Sequence, residues 1–409
     1  MLHATAPTIG TPREPDSGHA LSRRARHASR SPLRELVALT SDPEVLSLSG
    51  GLPATDAIPR RALREALGRA LAEPAALQYG AQNADLEDRI VELMAGRGVT
   101  CCRDEVLVTT GAQQALHIAA RLFVDPGTCV AAEEFTYTGF YQALEPLRAE
   151  ILGLPSLPGR GLDVAALESH LSAGGRPALL YLVADHGNPT GACLPLAARR
   201  RIADLAARFG VPVIEDDPYG FLRFEGPRLP PLRSFAGDRV LYVGSFSKTL
   251  SPALRLGWLI LPRELRPQAA VIKEAIDLES SALMQRAVAC LLHVFDLERH
   301  LEGAREIYRQ RRDAMAEALE KHLGDRVSWH APTGGLFFWL RLEDERADSE
   351  RLLAAAIRDA RVAFVPGSAF SRPGSRGRRH LRLSFSLASP SQIRDGICRL
   401  SRILRGASP

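Results

Sequence analysis

Six brief, predominantly apolar runs, each leading into a polar loop and most into an amphipathic helical stretch, restrict this chain to few architectures. They are EVLVTT (105–110), CVAAEE (129–134), ALLYLVA (178–184), VPVIED (211–216), RVLYVGS (239–245) and LGWLIL (256–261). A strand with one solvated face alternates polar and apolar residues. Runs without that alternation belong to a sheet covered on both faces by helices, and such sheets are mostly parallel. The sequence therefore predicts an α/β protein. Open sheets of this kind bind ligands beyond the carboxyl ends of their strands, and nearly every chemically suggestive residue here falls at such an end.

One of these residues stands out by composition. Lysine and arginine together occupy 52 positions, yet the lysines are only Lys248, Lys273 and Lys321. Arginine keeps its proton at any ordinary pH, whereas a desolvated lysine can present a free amine and condense with a carbonyl. Lys273 and Lys321 lie in helical stretches and read as surface charges. Lys248 lies among Ser, Gly and Pro in GSFSKTLSPALRLGW, directly after an apolar run, and is the candidate nucleophile.

Other strand ends add to it. VLVTTGAQQAL is strand, turn and helix, so the backbone N–H groups of Gly111, Ala112 and Gln113 are expected to face outward at a helix N-terminus, where phosphate binds. YLVADHGNPTG holds the Asn188 amide in a rigid turn. VIEDDPYG ends a strand with Asp216 and places Tyr219 three residues later, and Ser245, Ser247 and Arg255 flank the lysine. Each segment alone has an ordinary structural reading. Together they are the parts that hold pyridoxal phosphate.

The ordered set SGGLP, LQYG, TTGAQQAL, TYTG, NPTG, EDDPYG, SFSKTLSPALRLGW, PTGGLFFW, FVPGSAF and LRLSFS resembles the fold-type I pyridoxal phosphate-dependent aminotransferases of class I/II. The similarity is greatest to the branch of 2-aminoadipate aminotransferases and the aminotransferase-like domains of MocR-type regulators. The resemblance implies a disordered tail (1–21), an N-terminal arm with a small-domain segment (22–84), a large cofactor-binding domain (85–295) built on a mostly parallel seven-stranded sheet between helices, and a smaller C-terminal α/β domain (296–409). It also implies roles. Lys248 forms the Schiff base and shuttles the proton, Asp216 pairs with the pyridine nitrogen, and Tyr219 and Asn188 hydrogen-bond the ring hydroxyl. Tyr137 stacks on the ring. Gly111, Ala112, Gln113, Ser245, Ser247 and Arg255 take the phosphate, joined by Tyr79 from the neighbouring subunit of a homodimer with shared active sites. Arg382 grips the substrate carboxylate, Gly51 lets it approach the backbone, and Arg34 of SPLREL meets the substrate side chain. The implied reaction is ping-pong transfer of an amino group from an L-amino acid to a 2-oxo acid.

Two segments depart from the family pattern. Ala184, Asp185, His186 and Gly187 stand where Pro-x-Phe-Gln is usual, and AQNADLEDRI after LQYG lacks the usual glycine and Leu-Arg pair. These departures leave open a different outcome on the same cofactor, such as decarboxylation, elimination or cyclisation. A non-catalytic regulator domain is the remaining alternative; it needs a DNA-binding segment ahead of the first helix.

Composition excludes other classes. Net charge is +5, and arginines alternate with acids along AREIYRQRRDAMAEALE, the pattern of a solvated helix face and not of a nucleic-acid interface. The six cysteines show no repeated C-x-x-C spacing, so neither a disulfide framework nor a metal site is expected. No apolar run is long enough to span a bilayer and no signal-like start is present, so a cytoplasmic protein without a membrane partner is expected.

Overall fold

The computed structural model describes residue 42 and residues 44–372 and 374–406. The expected tail (1–21) and Arg34 lie outside the described residues.

Seven strands form the large sheet: β1 (Val106–Thr109), β2 (Cys129–Glu133), β3 (Glu150–Leu154), β4 (Leu179–Leu182), β5 (Val213–Asp216), β6 (Val240–Ser245) and β7 (Gly257–Ile260). Their spatial order is β1-β7-β6-β5-β4-β2-β3. All neighbours run parallel except β7, which is antiparallel to both β1 and β6. The reason is the connection: β6 and β7 are joined by the short segment 246–256, and a parallel pair needs a crossover of a dozen or more residues. β1, β4, β5, β6 and β7 are buried along their whole length, which is why their sequences read as uninterrupted apolar runs.

Edge strand β3 is absent from the six runs. It begins at an exposed Glu150, and only Leu154 is fully buried, so a strand with one free edge carries a weaker apolar signal. Helices cover the sheet, among them α1 (Arg60–Leu71), α2 (Ala84–Ala95), α3 (Ala112–Phe123) and α4 (Leu196–Phe209).

The long helical region after the sheet is three helices: α5 (Arg266–Asp277), α6 (Ala282–Val294) and α7 (Leu297–Leu323). Lys273 on α5 is not a surface residue. It is 4% exposed and its Nζ donates to Asp277 Oδ1 at 2.9 Å, one helical turn on, so its charge is neutralised where it is buried. VSWHAPTGGLFFWLRL is two strands, β8 (Val327–Trp329) and β9 (Phe337–Leu342), separated where Pro332 and Gly335 (φ +68) turn the chain. With β10 (Val365–Pro366) and β11 (His380–Ser384) they make a four-stranded antiparallel sheet in the order β8-β9-β11-β10. Helix α7 packs lengthwise on α8 (Pro390–Gly406) beside it.

One extended stretch near the start of the described chain is laced onto this C-terminal unit. Leu46 and Ser47 pair in parallel with Val362 and Ala363. Leu48 then donates its N–H to Ala363 O at 2.8 Å and accepts from Ser384 N–H at 2.7 Å. One apolar core cluster runs continuously under both sheets, from Leu116 and Leu259 to Phe338 and Leu383.

Candidate active site

The carboxyl ends of β1, β4, β5 and β6 converge with the 49–52 stretch and β9–β11 around a cavity of about 630 Å³. Ala112, Gln113, Tyr137, Asn188, Asp216, Tyr219, Ser245, Ser247, Lys248, Arg255, Gly51 and Arg382 all line it, so twelve of the residues singled out in the sequence share one wall.

Lys248 follows β6 and donates from Nζ to the carbonyl oxygen of Gly51 at 2.8 Å. Burial, reinforced by the positive charges of Arg382 and Arg255, lowers its pKa to about 8. An amine in that range carries a substantial neutral fraction at mildly alkaline pH and is a competent nucleophile. Asp216, at the end of β5, is 3% exposed; its Oδ2 accepts from Tyr181 OH at 2.8 Å, whereas Oδ1 is buried without a hydrogen-bond partner among the described residues. Burial, with neighbouring Asp217, raises its pKa to about 7 against the opposing Tyr181 bond. A buried carboxyl oxygen with no donor is costly. A protonated ring nitrogen at this wall of the cavity supplies the missing donor, so the residues present fit a pyridinium.

Arg382, on β11, gives the complementary observation. It is 2% exposed, donates to Asn188 Oδ1 at 2.6 Å and to the carbonyl of Ser49, and has no acidic partner among the described residues. Its guanidinium carbon lies 4.1 Å from the centroid of the Phe337 ring and 5.0 Å from that of Phe370. Burial lowers its pKa to about 10. Cation–π contact offsets part of that cost, and a bidentate carboxylate offsets more. Tyr219 is 4% exposed and meets Phe337 edge-on; burial raises its hydroxyl pKa, partly countered by Arg382.

On the phosphate side, Gly111 is the N-cap of α3 at φ +80, and a Cβ there would sit 2.8 Å from Arg255 Nη2. The expectation for its amide needs correction: the Gly111 N–H turns back to Thr109 O at 2.8 Å and does not face the cavity. The amides of Ala112 and Gln113 remain in the first turn of α3, where N–H groups have no intrahelical acceptor. Ser245 Oγ accepts the Ser247 N–H at 3.1 Å, and Arg255 reaches back to Thr110 O at 3.3 Å. Tyr137 is oriented by its hydroxyl bond to Gln113 Oε1 at 3.4 Å.

Tyr79 is not among the cavity-lining residues of its own chain and is 81% exposed. Arg34 lies outside the described residues. Asp185 and the atypical His186 do not line the cavity either. His186 is completely buried at φ +53, neither ring nitrogen has a hydrogen-bond partner among the described residues, and burial lowers its pKa to about 4. Residues missed from sequence include Tyr181 and Phe337. Tyr181 had a signal: it is the one polar-tipped side chain in ALLYLVA, and a buried tyrosine hydroxyl requires a partner.

The chain matches the family described as aminotransferase class I and II over residues 43–400. It is 37% identical over 395 residues to a 2-aminoadipate transaminase of Thermus thermophilus, covering 95% of this chain and 97% of that one. The chain belongs to the class I and II aminotransferases. This aminotransferase is also 32% identical to aromatic-amino-acid aminotransferase 1 of Thermococcus litoralis, with 94% of each chain covered. Its structure superposes on a kynurenine aminotransferase of Pyrococcus horikoshii, crystallised with PMP, at a TM-score of 0.90 and 31% identity, over 95% of this chain and 98% of that one. It is a fold-type I, pyridoxal phosphate-dependent aminotransferase acting on amino acids.

Proposed function

We propose that this enzyme transfers the amino group of an L-amino acid to a 2-oxo acid in a ping-pong cycle, as a cytoplasmic homodimer whose subunits complete each other's sites. The observation that carries the reading is the pairing, across one cavity, of Lys248 with two buried ionisable groups that lack partners of opposite charge, Asp216 at Oδ1 and Arg382.

When bound, pyridoxal phosphate supplies an aldehyde carbon and a ring that accepts the electron pair left at the substrate Cα. Asp216 Oδ1 holds the proton on the ring nitrogen, and Tyr181 keeps the carboxylate aimed. Tyr219 and Asn188 orient the ring hydroxyl, and Tyr137 covers one face. Ala112 and Gln113 amides, Ser245, Ser247 and Arg255 hold the phosphate, with the neighbouring subunit's copy of Tyr79 closing that end. The Arg382 fork binds the substrate carboxylate and so fixes which Cα bond faces Lys248. Lys248 Nζ, held by Gly51 O at 2.8 Å, would be the group that carries the proton taken from the substrate Cα. Arg34 is proposed to face the substrate side chain.

The test is spectroscopic. Holoenzyme is mixed with single amino acids, including 2-aminoadipate, and its cofactor absorbance is expected to move to the amine form and to return on addition of a 2-oxo acid. A spectrum that no amino acid moves overturns the reading. Acceptor-independent release of CO₂ or ammonia assigns a different reaction to the same cofactor.

A further inference from the structure

Behind the cofactor wall lies a buried ionic cluster that the proposed chemistry does not use. Arg97, in the turn after α2, is 5% exposed. Its Nη2 donates to Asp217 Oδ2 at 2.8 Å and to Asp185 Oδ2 at 3.0 Å, and its Nη1 donates to Gly220 O at 2.9 Å. Each acceptor is a close chain neighbour of a residue proposed to touch the cofactor ring: Asp217 follows Asp216, Gly220 follows Tyr219, and Asp185 precedes Asn188 by three positions. We propose that Arg97 is a positioning residue that sets the relative placement of Asp216, Tyr219 and Asn188, with Asp185 as one of its anchors. The inference rests on the function proposed above.

The cluster is built to be rigid. Asp217 also accepts from Tyr242 OH at 2.8 Å and from Gly220 N–H at 2.7 Å, which closes the turn carrying Tyr219. Asp185 is held from its other side by Arg199, at 2.6 Å from Oδ1 and 3.1 Å from Oδ2. Arg199 otherwise reaches Ala184, Cys193, Leu194 and Pro230, none of them next to Asp216 or Tyr219. Ligand-type atoms of Asp185, His186 and Cys193 lie within 4.8 Å of one another, but both Asp185 oxygens already accept from guanidinium groups. A planar fork can meet three acceptors in fixed directions; a lysine ammonium at the same place is a single point with no such geometry. The position therefore demands arginine for its shape.

Three variants test this in the loaded enzyme: Arg97→Lys, Asp185→Asn and, as a control, Arg199→Lys. Readouts are coenzyme dissociation constant, pH titration of the cofactor absorbance, kcat and melting temperature. Arg97→Lys is expected to lower kcat by roughly ten- to a hundredfold, as displaced reacting groups do, to weaken coenzyme binding and to move the absorbance titration. Asp185→Asn moves the same readouts in the same direction by less and keeps the inference testable if Arg97→Lys fails to fold. Arg199→Lys, which meets the cluster only through Asp185, lowers the melting temperature and moves the absorbance titration by less than Arg97→Lys does. If Arg97→Lys and Asp185→Asn lose only thermal stability, or if Arg199→Lys disturbs the absorbance as much as Arg97→Lys, the inference is overturned. A wild-type protein that takes up no coenzyme overturns the proposed function instead.

Discussion

A lysine kept in a chain that otherwise writes arginine is the residue on which the chemistry turns. Lys248→Ala and Lys248→Arg are both expected to cut turnover by at least about 10²-fold, since each removes the proton-transferring amine; borohydride treatment of holoenzyme labels the wild type and neither variant. Asp216 makes a separate prediction about pH. Its pKa in the cofactor-free fold is raised to about 7, so the fold favours its protonated form, and the stability this contributes at low pH is lost as pH rises from about 4 through about 7. Glu133 and Glu215 are raised in the same direction by burial, so the comparison must be with Asp216→Asn. Cofactor-free wild type is expected to fall in melting temperature relative to that variant across this window. Residue types were legible because the chemistry demands them in order along the strand ends. Arg97 was not, because it works through partners distant in sequence, and an arginine in a turn looks ordinary until its acceptors are in place; Tyr181 showed that it needs a partner but not that the partner is Asp216.

Among the elements, the large-sheet strands read from sequence are mostly those buried on both faces; edge strand β3 escaped because exposure dilutes the apolar pattern. The antiparallel β7 was also not foreseen, since direction is a property of the connection and not of the strand's composition. The β6–β7 pair makes its own prediction. Gly257 stands opposite Ser245, and Trp258 opposite Gly244. A Cβ on Gly244 would fall 2.1 Å from Trp258 Cε2, so Gly244→Ala overpacks the layer beneath Lys248. A loss of about 1–3 kcal/mol is expected, read from the midpoint of denaturant unfolding, together with weaker coenzyme retention because Ser245 and Ser247 follow directly.

For the whole molecule, the described surface carries several large apolar side chains in the open. Tyr79 and Leu77 are 81% and 57% exposed, and Leu71, Val271 and Leu278 are exposed apolar residues as well. Mixing inactive Lys248→Ala subunits with Tyr79→Ala subunits is expected to restore activity, because a hybrid dimer holds one site with both residues intact; mixtures no more active than their parents exclude a shared site. Dimerisation was suggested by family resemblance alone, since a surface contact leaves no periodic trace in one chain. The laced stretch beginning at Leu46 has a different kind of consequence. It is fastened to the C-terminal sheet through Leu48 and Ser49, and two residues later its Gly51 carbonyl grips the Lys248 amine. One short run of backbone thus joins the proton-carrying amine to the strand that presents Arg382, so slack introduced at residues 49–51 is expected to loosen both ends of the site at once.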